Sequence, residues 1–143
     1  MAAQSGPPLA ITNTPNTAGA PGGVQRPNSR GVSANKTGPV QSRLDDFLDA
    51  SAFSAPEPFT YGNVARTLPD VRGPRNSNLD LSFFKSFAVR ENVRLQFRAE
   101  FFNAFNAPVF GLPNQSFGAR NFGAITGQQN DPRQTQLALR LTF

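Results

Sequence analysis

The residues able to do chemistry are few, and most of their spacings point away from catalysis. Asp45, Asp46 and Asp49 lie close together, but they lack the alternating ligands and the turn-forming glycine of a calcium loop, so a solvated loop face is the better reading. The chain has no His and no Cys, which excludes the zinc, haem and thiol sites built on those side chains. Ser and Lys occur without a Gly-x-Ser-x-Gly elbow or a phosphate-cradling Gly-Lys-Ser/Thr loop. No catalytic constellation emerges, and the expectation is a non-enzymatic chain with no cofactor. What remains is a polar set, Arg94, Gln96, Arg98, Glu100 and Arg140, with the first four at every second position. A period of two belongs to a β-strand, whose successive side chains point to opposite faces. The chemistry therefore lies in a face, and the elements that carry the face come next.

Asn92–Phe102 places Val93, Leu95, Phe97, Ala99 and Phe101 on one side and the polar set from Arg94 to Glu100 on the other. Helical phase would scatter those charges among the apolar residues around the cylinder. The last ten residues repeat the pattern, with Thr135, Leu137, Leu139, Leu141 and Phe143 on one face and Gln134, Gln136, Ala138, Arg140 and Thr142 on the other. Leu79–Phe87 alternates less strictly, because Lys85 interrupts the row of Leu79, Leu81, Phe83 and Phe87. Ten residues at about 3.3 Å each, tilted near 45°, cover roughly 23 Å, close to the apolar band of an outer-membrane barrel. Soluble strands more often run to about five or six residues.

The spacing predicts a short turn, Ala88–Asn92, between the first two strands and a long loop of about thirty residues before the last. Short periplasmic turns and long external loops are the habit of such barrels. With that orientation the final strand descends and puts Phe143 at the periplasmic rim. The expected fold is all-β, with antiparallel strands forming the C-terminal piece of a large transmembrane β-barrel after a largely irregular segment. Leu137, Leu139, Leu141 and Phe143, with Val93, Leu95, Phe97 and Phe101, are expected to face lipid. Arg94, Gln96, Arg98, Glu100 and Arg140 are expected to face a hydrated lumen.

Composition divides the chain in the same place. Of 25 Gly and Pro residues, 18 fall in residues 1–78, which reads as an irregular, external-loop-like segment ahead of barrel strands in residues 79–143. Three strands are fewer than the eight or so that close even a small barrel, so the expectation is a fragment of a larger protein. Met1–Pro8 lacks a basic start and an apolar run, so an export signal is expected upstream. No run of eighteen apolar residues suits a spanning helix. The net charge of +5 and the Phe117–Gly123 stretch, which interleaves Phe with Arg120, are features that single-strand nucleic-acid binders also use. Against that reading, the arginines of the strands alternate with fully apolar faces, which suits a lumen wall better.

Residues 1–40 carry few large apolar side chains and are expected to be mobile in isolation. Ser42–Asp49 reads either as a short helix, with Leu44, Phe47 and Leu48 on one face, or as an extended loop that tucks in Phe47 and Phe53. Phe105, Phe110, Phe117 and Phe122 lie among Gly, Asn and Pro. They could stack on a sugar, but pinning the long loop is the stronger expectation.

With these residues in view, the chain resembles the C-terminal part of TonB-dependent outer-membrane receptors, in the subgroup with a carboxypeptidase-regulatory-like domain. The resemblance rests on Asn78–Phe87, Leu95–Asn106, Phe122–Thr126 and Asp131–Leu139, and less specifically on Ser51–Pro56, Tyr61–Val64 and Leu68–Pro74. It implies a barrel of many strands around a plug, ligand uptake driven by the inner-membrane TonB system, and residence in the bacterial outer membrane. It also implies that Phe143 and the alternating residues before it form the signal read by the barrel-assembly machinery. The implied partners are outer-membrane lipid, that machinery and, through a full-length parent, TonB; no nucleic acid is implied. The competing reading is a soluble β-rich carbohydrate-binding module that uses the loop aromatics.

Overall fold

The computed structural model describes residues 2–19 and 24–143. Among the described residues nine strands follow in chain order: β1 (Ala2–Gln4), β2 (Thr12–Asn13), β3 (Asn28–Ser29), β4 (Phe53–Ser54), β5 (Asn76–Asn78), β6 (Leu81–Arg90), β7 (Val93–Phe102), β8 (Ser116–Phe117) and β9 (Gln134–Thr142). The only helical elements among the described residues are two short 3₁₀ turns, Val40–Arg43 and Ala50–Ala52. No described helix is long and apolar enough to cross a membrane. The architecture is all-β, with open sheets, and the chain divides into two compact units.

The first unit holds β1 paired with β5 and a three-stranded antiparallel sheet in the order β6-β7-β9. β6 and β7 each run ten residues and β9 nine, close to the expected membrane-crossing length. The hairpin is tighter than the spacing predicts. β6 continues to Arg90, and only Glu91 and Asn92 form the turn, a two-residue connection of the kind most common between antiparallel strands. The reason is a bulge. Ala88 pairs with Arg94 and Arg90 with Val93, so Val89 is an extra residue that lets β6 stay paired up to the turn. Leu79 and Asp80 precede β6 rather than opening it.

The second unit, Ser5–Arg75 with Phe110–Gln128, is irregular yet packed. Leu9, Ile11, Ala34, Phe47, Leu48, Phe53, Val64, Val71 and Ile125 belong to one buried cluster. The expectation that residues 1–40 are mobile in isolation concerns that segment alone; within the whole chain Leu9, Ile11 and Ala34 join this cluster. The few apolar side chains of residues 1–40 suffice because distant segments complete the core. The parallel β2–β8 pair brings Phe117 beside Phe53, and the Phe53, Phe117 and Phe122 ring centroids lie 5.5 to 5.9 Å apart, within the range in which tilted and edge-to-face pairs attract. A buried Gln25 takes the place of sheet hydrogen bonds: its Oε1 accepts from Asn13 Nδ2 and the Thr17 amide, and its Nε2 donates to the Thr60 carbonyl.

Of the two readings for Ser42–Asp49, the loop form is found. The 3₁₀ turn ends at Arg43, and Phe47 and Leu48 are buried without a continuing helix. The Phe47 amide donates to Gly123 and the Ile125 amide to Leu44, so backbone groups that a helix would pair internally are spent on the long loop. Asp49 caps the second 3₁₀ turn by accepting from the Ser51 amide at 2.9 Å. Ser51, through its side chain and then its backbone, holds the Asp49 carboxyl below its ordinary range.

Candidate functional site

The register of β6, β7 and β9 decides which side chains share a face. Across β7 and β9 the partners are Leu95 with Leu141, Phe97 with Leu139, Ala99 with Leu137, and Phe101 with Thr135. Across β6 and β7, Leu81 meets Phe101, Phe83 meets Ala99 and Phe87 meets Leu95. One face is therefore apolar except for Lys85, opposite Phe97, and Thr135. Phe83 and Phe101, diagonal neighbours, meet edge-on with centroids 6.2 Å apart, a cross-strand contact worth a fraction of a kcal/mol to about 1 kcal/mol.

Apart from Ala99, buried at the middle of the central strand, that face is open. Leu137, Leu139 and Leu141 are 66%, 70% and 55% exposed, and Phe83 is 59% exposed, so no soluble core covers the rows. Val93 sits at the turn end, paired with Arg90, and Phe143 lies just past the end of β9, 92% exposed. Lys85 stands in the apolar row opposite Phe97. It is accommodated by lying with its ammonium 5.3 Å from the Phe87 ring centroid, where the ring face attracts a cation.

The opposite face gathers the polar set. Gln96 pairs with Arg140, Arg98 with Ala138, Glu100 with Gln136 and Arg94 with Thr142. On β6 the same face carries Ser82, Phe84, Ser86 and Ala88, so its large apolar members are Phe84 and, at the end of β7 opposite Gln134, Phe102. Arg98 Nη1 lies 3.7 Å from Glu100 Oε1, with both side chains partly exposed; a pair so placed contributes little to stability.

An asparagine clamp at the other end of the sheet escaped the sequence reading. Asn103 and Asn106 adopt positive φ of 48° and 50°, a conformation Asn tolerates better than most residues. The buried Asn103 accepts from the Ala107 amide and donates to the carbonyls of Ala107 and Asp131, while its own amide donates to Asp80. Asn106 accepts from the Arg133 amide, and Asn130 accepts from the Val109 amide and donates to Ala107. These bonds tie the start of the long loop to its end and so hold β7 beside β9. The signal available in the sequence was the pairing of Asn103 and Asn106 just after a strand with Asn130 just before one.

The loop aromatics divide. Phe117 and Phe122 pack with Phe53, Phe110 packs against the buried cluster, and Phe105 stands 76% exposed. Among the described residues no three metal-ligating side chains converge.

A family model described as an outer membrane beta barrel domain matches residues 1–136. The chain belongs to that family. Comparison with curated proteins and with solved structures gave no match. Membership accounts for strands of this length with one apolar and one polar face, and it places this outer-membrane β-barrel protein in the outer membrane.

Proposed function

We propose that this chain supplies closing strands of a TonB-dependent receptor, whose complete barrel takes up a ligand across the outer membrane. The observation that carries the reading is the register that aligns Leu95, Phe97 and Ala99 with Leu141, Leu139 and Leu137 on strands of bilayer-crossing length. In this reading Leu137, Leu139, Leu141, Phe143, Val93, Leu95, Phe97 and Phe101 face lipid, while Arg94, Gln96, Arg98, Glu100 and Arg140 face water. Three long strands do not close a barrel, so further strands and a plug complete it. The resemblance of Asn78–Phe87 and Leu95–Asn106 to receptor termini supports the TonB-dependent subgroup. Phe143 with the leucines before it is then the signal for the barrel-assembly machinery. The chain contributes no catalysis, binds no cofactor of its own and does not engage nucleic acid.

The test is the full-length transcript and its product. An in-frame plug with a TonB-contacting segment, and co-purification of that product with the periplasmic domain of TonB, are expected. A transcript without either, together with a chain that folds in buffer as a compact monomer, overturns the proposal in favour of a soluble carbohydrate-binding module. The packing of Phe117 and Phe122 with Phe53 already removes two of the aromatics such a module would use.

A further inference from the structure

The polar face holds an unbalanced charge at one point. Arg140 pairs with Gln96, whose neighbours two residues away on the same face are Arg94 and Arg98. Arg140 is therefore diagonal to both, within reach of long side chains. The register therefore sets three arginines at neighbouring positions on one face, and the only carboxylate on this face of the three strands is Glu100, itself beside Arg98. The surface there is concave. Ala138 stands between Gln136 and Arg140 on β9 and opposite Arg98, so a small side chain floors a hollow of about 180 Å³ walled by Gln96, Arg98, Glu100, Gln136 and Arg140.

We infer that this hollow is a binding site for the carboxylate or phosphate group of a solute inside the barrel, held between Arg98 and Arg140. A guanidinium fork matches the oxygens of either group through two parallel hydrogen bonds. Two forks set diagonally offer donors from two directions, and the carboxamides of Gln96 and Gln136 add neutral donors at the sides. Like charges held together are relieved by an anion, whereas a neutral solute leaves them unrelieved. Glu100 sets the selectivity: its charge repels an anion that reaches past Arg98 and leaves the Arg140 side as the point of entry. The inference rests on the proposal that this face lines the water-filled interior.

The experiment uses the full-length protein in detergent at low ionic strength, with inorganic phosphate and citrate titrated calorimetrically. Saturable binding is expected, weakened at least tenfold by Arg140→Gln and by Arg98→Gln, partly retained by Arg140→Lys, and unchanged by Arg66→Gln in the other unit. Absence of binding to the unaltered protein overturns the site, as it would if a carboxylate of the protein itself filled the hollow. Equal binding in Arg140→Gln and the unaltered protein also overturns it. Should Arg140→Gln fail to fold, Arg98→Gln and Arg140→Lys decide. An Ala138→Cys variant separates the anion site from the water-lined face, in the same detergent and in lipid vesicles. Labelling by a membrane-impermeant charged maleimide, slowed by phosphate, is expected. Labelling that phosphate does not slow leaves the water-lined face standing and removes the anion site. Protection from the reagent in vesicles removes the water-lined face and the site with it.

Discussion

Replacing Leu139 by Arg places a cation in the middle of the apolar row, opposite Phe97. Its depth follows from the strand. Leu139 lies four positions before Phe143, and at about 3.3 Å per residue with a tilt near 45° that is roughly 9 Å from the periplasmic rim. In an apolar band about 25 Å tall, the side chain then lies within about 4 Å of the midplane, where Arg on the lipid face costs about 2–4 kcal/mol. Leu141→Arg, two residues nearer the rim, should cost less, because the penalty fades toward the interface. Arg140→Leu, one residue away but on the polar face, exchanges no lipid contact and should cost less than Leu139→Arg. The assay is urea-dependent loss of the folded, heat-modifiable band of the full barrel in lipid vesicles. The contrast with a soluble sheet is sharp: Leu139 is 70% exposed, and a surface substitution in water shifts stability by about 0.5 kcal/mol or less. A Leu139→Arg effect within that range, or one smaller than that of Arg140→Leu, refutes the facing of the strands.

Three further outcomes follow from the loops. Asn103→Ala removes the side chain that satisfies the Ala107 amide and the Asp131 carbonyl and should destabilise the clamp by about 1–3 kcal/mol, seen as faster proteolysis of the long loop in the folded barrel. Gly118 adopts a φ of 93°, and a Cβ there would lie 2.0 Å from the Thr14 carbonyl oxygen. Gly118→Ala should therefore break the β2–β8 pairing, at a cost of about 1–3 kcal/mol for the backbone strain alone, read as lost amide protection at Thr12–Asn13. Asp49, whose carboxyl is lowered by its bonds to Ser51, favours the folded loop above its unfolded value of about 3.9. That contribution is lost as pH falls through the lower folded value. An NMR titration of the Asp49 carboxyl should show a midpoint below about 3.9, and Ser51→Pro, which removes the donating amide, should move it upward.

The amino-acid sequence by itself determined the long strands, their alternation and the identity of each face. Period-two patterning is local, so Val93–Phe102 and Gln134–Thr142 are legible without any knowledge of their partners. The five polar residues on these strands could be assigned to one face for the same reason. Resemblance at the terminus also pointed to the outer membrane, in keeping with the family to which the chain belongs. Only the tertiary structure decided matters that depend on which strand lies beside which. The bulge at Val89, which lengthens β6 and shrinks the turn, exists because Ala88 and Arg90 both find partners in β7. The asparagine clamp joins residues 27 or 28 positions apart, and the core of the irregular unit joins Leu9 and Ile11 to Ile125. No window of sequence contains both halves of such contacts. Arg140 likewise reads as one polar residue among several until the register sets it diagonal to Arg94 and Arg98. Local periodicity can say which way a side chain faces, but only the pairing of distant segments determines what it faces with.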